Sequence, residues 1–320
     1  MDAIRIEDLS KHYRVGFWRP RPYVALDRLT MEVRQGDVFG FLGPNGAGKT
    51  TTLKLLMQLI YPTSGRAEIL GRPVGDVSVK RRLGYLPENP YFYDYLTAEE
   101  LLEYFGGLFG YRAADRRRRV SDLLDVVGIG AERRLQLRKF SKGMLQRVGV
   151  AQAIINDPEI VFFDEPMSGL DPLGRREIRQ LILRLRDRGC TVFFSSHVLS
   201  DAEALCSRVA ILAGGRLAAQ GTLSEILAFQ ARGWEIVIEG LTDSALARAT
   251  TLGHVVRATP LGAQRYALEV PHEAAPDRVL TELVAHGAQL VSITPVRETL
   301  EDFFVRQIGR VPVDRGLEGA

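Results

Sequence analysis

A chain of 320 residues, 46% hydrophobic and 25% charged, carries a formal net charge of +3; at ~150 residues per domain it has room for two cores, and its apolar fraction excludes extended disorder. No stretch approaches the ~18 apolar residues of a transmembrane helix, the first seven residues lack an apolar signal core, and Cys190 and Cys206 alone cannot build a disulfide framework or a cysteine-rich zinc site, so a cytoplasmic protein is expected. Residues 222–320 hold nine Arg, no Lys and 13 acidic residues, a net of −4 that leaves +7 on the remainder, a balance suited to a polyanionic ligand, an acidic membrane surface or nucleic acid.

The chain opens in strands: Ile4 and Ile6 alternate with charge, and Leu29, Met31 and Val33 do so after a Pro-rich connection around Trp18 to Pro22. Val38 to Leu42 reads as a strand buried on both faces. Glycines follow at once, and Thr51 to Ile60 then has helical spacing through Leu53, Leu56 and Leu59. From about Leu96 to Leu137 the pattern is helical. Thr97 with Glu100 forms a capping-box start, and Leu101, Leu102, Phe105 and Leu108 supply one apolar face. Arg112 and the run Arg116 to Arg119, with Leu123, Leu124 and Val127 close by, read as the solvated side of an amphipathic helix. Ile160 to Phe163 and Thr191 to Phe194 are two more buried strands, separated by a helix from Leu173 to Arg188, and Val209 to Ala219 is a hairpin turning at Gly214-Gly215.

Beyond Gly221 the composition shifts. Strands are predicted over Trp234–Ile238, His254–Ala258, Tyr266–Val270 and Gln289–Thr294, with Pro260-Leu261-Gly262 as a turn between the middle two. Helices over Ser244–Leu252 and Asp277–His286 complete a β-α-β-β-α-β order, that of a ferredoxin-like unit, and a last helix covers Glu298 to Ile308. His254, His272 and His286 are scattered and form no metal-ligand cluster.

Chemistry concentrates in the first 221 residues. Gly43-Pro44-Asn45-Gly46-Ala47-Gly48-Lys49-Thr50 matches the P-loop pattern G-x-x-x-x-G-K-T between a buried strand and a helix. Glycines let successive backbone N–H groups converge on phosphate oxygens, and the helix starting at Lys49 adds its positive dipole end. Lys49 places a cation by the β- and γ-phosphates, and Thr50 offers a hydroxyl to Mg²⁺. The strand Ile160 to Phe163 runs into Asp164 and Glu165, where Asp164 would hold Mg²⁺ and Glu165 would act as general base on the attacking water.

Between those elements, Phe140-Ser141-Lys142-Gly143-Met144-Leu145-Gln146-Arg147 resembles the signature loop of the ATP-binding cassette (ABC) family. The family's order is present over Ile4 to Thr222: P-loop, Tyr85-Leu86-Pro87-Glu88, signature, Asp164-Glu165, Ser168-Gly169-Leu170-Asp171, then Ser196-His197. The resemblance implies an α/β fold: a P-loop NTPase cassette with a RecA-like core, an antiparallel β subdomain and a helical subdomain at about 90–145, spanning residues 1–221. A small α+β, ferredoxin-like domain of accessory or regulatory role would cover 222–310, with a tail at 311–320.

The family's site residues then carry over position by position. Tyr13 matches the aromatic that stacks on adenine, and residues 43–50 with Thr51 form the ATP-binding loop. Ser141 and Gly143 would bind the γ-phosphate of ATP held by a second protomer, and Asp171 would couple the protomers. His197 would contact the γ-phosphate and order Glu165. Glu88 stands where a glutamine usually coordinates Mg²⁺, and Lys142 and Met144 replace a glycine and a glutamine of the signature. These departures resemble a branch of single-cassette bacterial ATPases paired with exporter permeases, as does Glu298-Thr299-Leu300-Glu301-Asp302-Phe303-Phe304. The implied function is ATP hydrolysis, with Mg²⁺, at a head-to-tail homodimer or heterodimer of cassettes. It would drive transmembrane permease subunits on separate chains from the cytoplasmic face of the membrane. Residues 96–137, the Glu88 loop and the aromatics Tyr91, Phe92, Tyr93 and Tyr95 would be the docking surface. The alternative is a soluble ABC ATPase acting on ribosomes or nucleic acid. Such relatives usually carry two cassettes in one chain or a long coiled-coil insertion, and no heptad pattern separates P-loop from signature here, so no nucleic-acid partner is expected.

Overall fold

A computed structural model of the chain describes residues 1–16, 20–226, 231–240, 255, 257–262, 264–271, 274 and 276–297, with backbone alone at 231, 232 and 297. These fall into two compact units, one running to Leu223 and the other from Ser224 onward. Trp18, the expected helix at Ser244–Leu252, His254, His272, the stretch from Glu298 to Phe304 with its helix to Ile308, and the tail 311–320 lie outside the described residues.

The first unit contains two sheets. β1 (Asp2–Val15), β2 (Arg21–Arg34), β4 (Ser64–Ile69) and β5 (Arg72–Pro73) form an antiparallel sheet in the order β2-β1-β4-β5. β3 (Val38–Leu42), β6 (Leu83–Leu86), β7 (Ile160–Asp164), β8 (Thr191–Ser196), β9 (Arg208–Ala213) and β10 (Arg216–Thr222) form the second, in the order β10-β9-β3-β8-β7-β6. Its five strands from β9 to β6 run parallel, and β10 closes the edge antiparallel to β9. Every residue of β3, β7 and β8 is buried, the apolar stretches together with the polar Asp164, Thr191, Ser195 and Ser196 at the strand ends. Phe193 is the aromatic hub of that core, with the rings of Phe39, Phe41 and Phe162 at 5.5, 5.3 and 5.6 Å. Leu53 and Leu56 of α1 (Lys49–Leu56) join the same core as Ile4, Ile6 and Leu29 of the antiparallel sheet.

α2 (Val77–Lys80) precedes β6, and α3 (Ala98–Leu108) and α4 (Ala113–Val126) pack on each other and on α5 (Lys142–Ala153). α6 (Pro172–Asp187) joins β7 to β8, and α7 (Leu199–Leu205) follows β8. Thr97 and Glu100 form the expected reciprocal capping box. Two helical readings are corrected. α1 stops at Leu56 rather than Ile60: Gln58 takes φ 53°, and the N–H groups of Gln58 and Leu59 turn back to Leu55 O and Lys54 O, a Schellman closure that leaves Leu59 exposed. The block from 96 to 137 is broken after Leu108, where Gly110 and Tyr111 close α3 onto Gly107 O and Gly106 O, and Leu108, its last residue, is 65% exposed instead of facing the core. The arginine run divides: Arg117 and Arg118 are solvated, whereas Arg119 donates to Ile154 O and Ile155 O.

In the second unit β11 (Ala231–Glu239), β12 (Arg257–Gly262), β13 (Arg265–Pro271) and β14 (Gln289–Arg297) form an antiparallel sheet in the order β12-β13-β11-β14. The helix Pro276–Ala285 packs Val279 and Leu283 into a core with Ile236, Ile238, Leu268 and Val270. The turn expected at Pro260-Leu261-Gly262 is mostly strand, and the reversal starts only at its last residue, with positive φ at Gly262 (φ 98°) and Gln264 (φ 60°). β12 is an edge strand, where the N–H that Pro260 lacks costs no ladder bond. Among the described residues no helix is long and apolar enough to cross a membrane.

Candidate functional site

The parallel strands β3, β6, β7 and β8 all end at one edge of their sheet, and that edge collects most of the expected chemistry. β3 delivers the chain into residues 43–48 and α1. A Cβ at Gly43 would lie 2.5 Å from Leu212 O, and one at Gly48 2.5 Å from Ala25 O with φ at 104°, so neither position admits a side chain without moving backbone. Ala47 is buried while Asn45 and Gly46 are exposed, and Pro44 O accepts from Ala47 N–H at 3.1 Å, which folds the loop tightly. Gly48 is the N-cap of α1 and supplies no capping side chain, so the N–H groups of Lys49, Thr50 and Thr51 form an uncapped positive helix end. Such an end suits phosphate.

Lys49 is 6% exposed, and its ammonium joins three parts of the site. It donates to Gly43 O at 2.7 Å and Pro44 O at 3.3 Å and lies 3.3 Å from Glu165 Oε1. Glu165 is nearly as buried and stands at φ 51°, left-handed backbone that costs a non-glycine residue roughly 1–2 kcal/mol. Its Oε2 is 2.8 Å from His197 Nδ1. With the carboxylate ionised that nitrogen must donate, so the tautomer leaves Nε2 outward on a partly exposed ring. The two carboxylates are organised by a residue that sequence reading missed: Ser195 Oγ donates to Asp164 Oδ1 at 2.6 Å and accepts from Glu165 N–H at 3.0 Å. The available signal was register, because a serine in a buried run beside β7 falls opposite Asp164.

Asp164 is 1% exposed, and burial pushes its carboxyl above the ordinary range against the opposing hydrogen bonds of Ser195 and Thr50 and the charge of Lys49. Among the described residues its Oδ2 has no hydrogen-bond partner, nor has Glu165 Oε1. A buried carboxylate oxygen without a donor, beside a threonine hydroxyl and a phosphate-binding loop, fits a hard divalent cation that keeps waters and takes phosphate oxygens as further ligands. Burial and the nearby Asp164 charge also push Tyr85 up to about 12.

Other expected residues lie further out. Glu88 is exposed on the loop two residues past β6, whose Leu86 pairs with Phe163 of β7. Tyr13 is half-buried on β1, with Lys11 Nζ 5.2 Å from its ring centroid. Its cross-strand partner Tyr23, also unforeseen, brings its Oη to 3.5 Å from Gly46 O of the P-loop. Ser141 is exposed as the N-cap of α5, accepting from Met144 N–H at 3.3 Å, and Asp171 caps α6 by accepting from Gly174 N–H at 2.8 Å. A Cβ at Gly143 would meet Leu170 at 3.6 Å, so signature and 168–171 loops are neighbours. Among the described residues no hydrogen bond or ion pair joins Ser141, Gly143 or Asp171 to Lys49, Asp164 or Glu165.

Comparison with known proteins points one way. The family described as ABC transporter matches residues 26–168. The ABC transporter ATP-binding protein sll0415 of Synechocystis sp. is 46% identical over 96% of this chain and 85% of its own. The bacitracin transport ATP-binding protein BcrA of Bacillus licheniformis is 34% identical over 96% of this chain and 97% of its own. The solved dimeric structure of MJ0796, a bacterial ABC transporter cassette, superposes with a TM-score of 0.63 at 26% identity, over 69% of this chain and 98% of that one.

Proposed function

This chain belongs to the family of ABC transporter ATP-binding proteins and is an ATPase of that type; from that premise we propose that it powers export through a membrane permease carried on separate chains. The observation that carries the hydrolytic role is the junction at Glu165, where Lys49 and His197 converge on one buried carboxylate whose backbone N–H is held by Ser195. The P-loop N–H groups and Lys49 bind the β- and γ-phosphates, and Tyr13 stacks on the base. Thr50 and Asp164, with Glu88 from the neighbouring loop, would hold Mg²⁺, which when bound neutralises phosphate charge and orients the γ-phosphate. Glu165 Oε accepts a proton from water as its oxygen bonds to the γ-phosphorus and the bridge to the β-phosphate breaks, releasing ADP. His197 fixes the carboxylate through Nδ1 and keeps Nε2 for the γ-phosphate.

One chain carries one P-loop and one signature. The proposal is therefore a head-to-tail dimer, homomeric or heteromeric, in which Ser141 and Gly143 of one cassette complete the site of the other and ATP holds the pair closed. The likeness to a bacitracin transport protein over both units supports export, and the absence of a membrane-crossing helix among the described residues is consistent with a permease on other chains. Such a subunit works at the cytoplasmic face of the membrane. Tyr91, Tyr93 and Tyr95 are exposed, the first at 96%, beside α3, and they suit the permease contact. The unit from Ser224 onward is assigned support of the dimer or regulation.

Glu165→Gln tests the reading. ATP affinity should stay within a few fold while turnover falls by about 10²–10⁴, the usual worth of a general base, and ATP should double the particle mass in light scattering. Normal phosphate release from that variant would remove Glu165 from the role. Purification from membranes in detergent should bring down an integral membrane partner.

A further inference from the structure

Asp201 is a buried carboxylate, 2% exposed, in the first turn of α7 and four residues beyond His197. Arg179 satisfies its Oδ1 at 3.2 Å, while Oδ2 has no hydrogen bond among the described residues and faces Arg175 Nη1 at 3.9 Å. Both arginines lie on one face of α6, four residues apart. A buried carboxylate needs its charge balanced, and the closer Arg179 supplies that. Arg175 does something else: its Nε donates to Leu170 O at 3.3 Å, inside the Ser168-Gly169-Leu170-Asp171 loop. Asp171 pins the same loop from its far side through Gly174 N–H. The peptide between Leu170 and Asp171 is thus held by a guanidinium whose other end addresses the helix leading out of the His197 segment.

We propose that Arg175 is a positioning residue for hydrolysis, bridging Leu170 O to Asp201 so that the 168–171 loop is set relative to His197. It rests on the reading above, in which His197 senses the γ-phosphate and Asp171 faces the second cassette. A shift of the segment bearing His197 carries Asp201 with it and, through Arg175, turns the Leu170 carbonyl. Site chemistry and protomer coupling then move together. Lysine cannot replace this, because a single ammonium lacks the fork that addresses both ends.

The test is steady-state ATP turnover, KM for ATP and thermal midpoint of the full chain carrying Arg175→Ala, Arg175→Lys or Arg179→Ala. Arg175→Ala should lower kcat at least tenfold with KM within twofold and a midpoint no lower than that of Arg179→Ala. Arg179→Ala should lose stability yet keep kcat within twofold. Arg175→Lys, which keeps the charge and so the fold, should be as slow as Arg175→Ala and decides the matter if alanine does not fold. Equal kcat in the two alanine variants, or full kcat in Arg175→Lys, would overturn the bridge while leaving the assignment of Glu165 intact. Normal turnover in Glu165→Gln would instead overturn the site reading, and the bridge with it.

Discussion

Asp164 and Ser195 show how single side chains hold this site under opposing demands. Burial raises the Asp164 carboxyl above its ordinary value, so the ionised form is what the fold disfavours. With the folded value above the unfolded one, the penalty is absent below the unfolded value and complete above the folded one. Asp164→Asn should therefore melt higher than wild type near neutral pH, with the gain shrinking as pH falls toward the ordinary aspartate range, while ATP turnover is lost. Thermal melts across that range check the sign. Ser195→Ala has the reverse effect on stability. It strips a donor from Asp164 Oδ1 and an acceptor from Glu165 N–H, both buried, and should cost about 1–3 kcal/mol in a denaturant titration as well as slowing turnover. Asp164 and Glu165 are legible from their place after an apolar run. Ser195 is legible only once β8 is known to lie beside β7 in register.

At the scale of elements, the buried strands were read most sharply: Val38–Leu42 is β3 residue for residue, because an unbroken apolar run has no second interpretation at that length. Helix starts were also legible, since a cap is a local interaction. Thr97 makes both bonds of its box, and Thr97→Ala should cost about 1 kcal/mol of stability with ATPase activity unchanged. Helix ends were not. Leu59 continues the apolar spacing beyond α1 yet is exposed, because the backbone closure at Gln58 stops the helix first, and Leu108, the last residue of α3, is exposed beside the turn that closes at Gly110. Periodicity reports where an apolar face could continue; the terminating turn reports where it does. Pro260 is the strand counterpart, read as a turn and found on an edge where proline is tolerated.

At the scale of the molecule, the informative geometry is that, among the described residues, no hydrogen bond or ion pair joins Lys49 or Glu165 to Ser141 or Gly143. If a second chain completes each site, two defects on different chains should complement. Ser141→Arg and Lys49→Ala should each abolish turnover, and a mixture of the two should recover activity that neither shows alone. Phosphate release from the mixture measures this, and a mixture as inert as its components would argue for sites complete within one chain.

The sequence by itself determined the family and the order of its motifs, because phosphate binding, a strand-end carboxylate pair and helix caps are written in contiguous residues. It also marked the change of character near residue 222, in charge as well as composition. Only the tertiary structure decided which side chains meet. Lys49 reaches Glu165 across 116 positions of chain, Ser195 joins the Asp164 carboxylate to the Glu165 backbone N–H, and Arg175 links a loop to a helix that begins 24 residues later. Those pairings depend on the order of strands in a parallel sheet, where each crossover hides its neighbours from one-dimensional spacing.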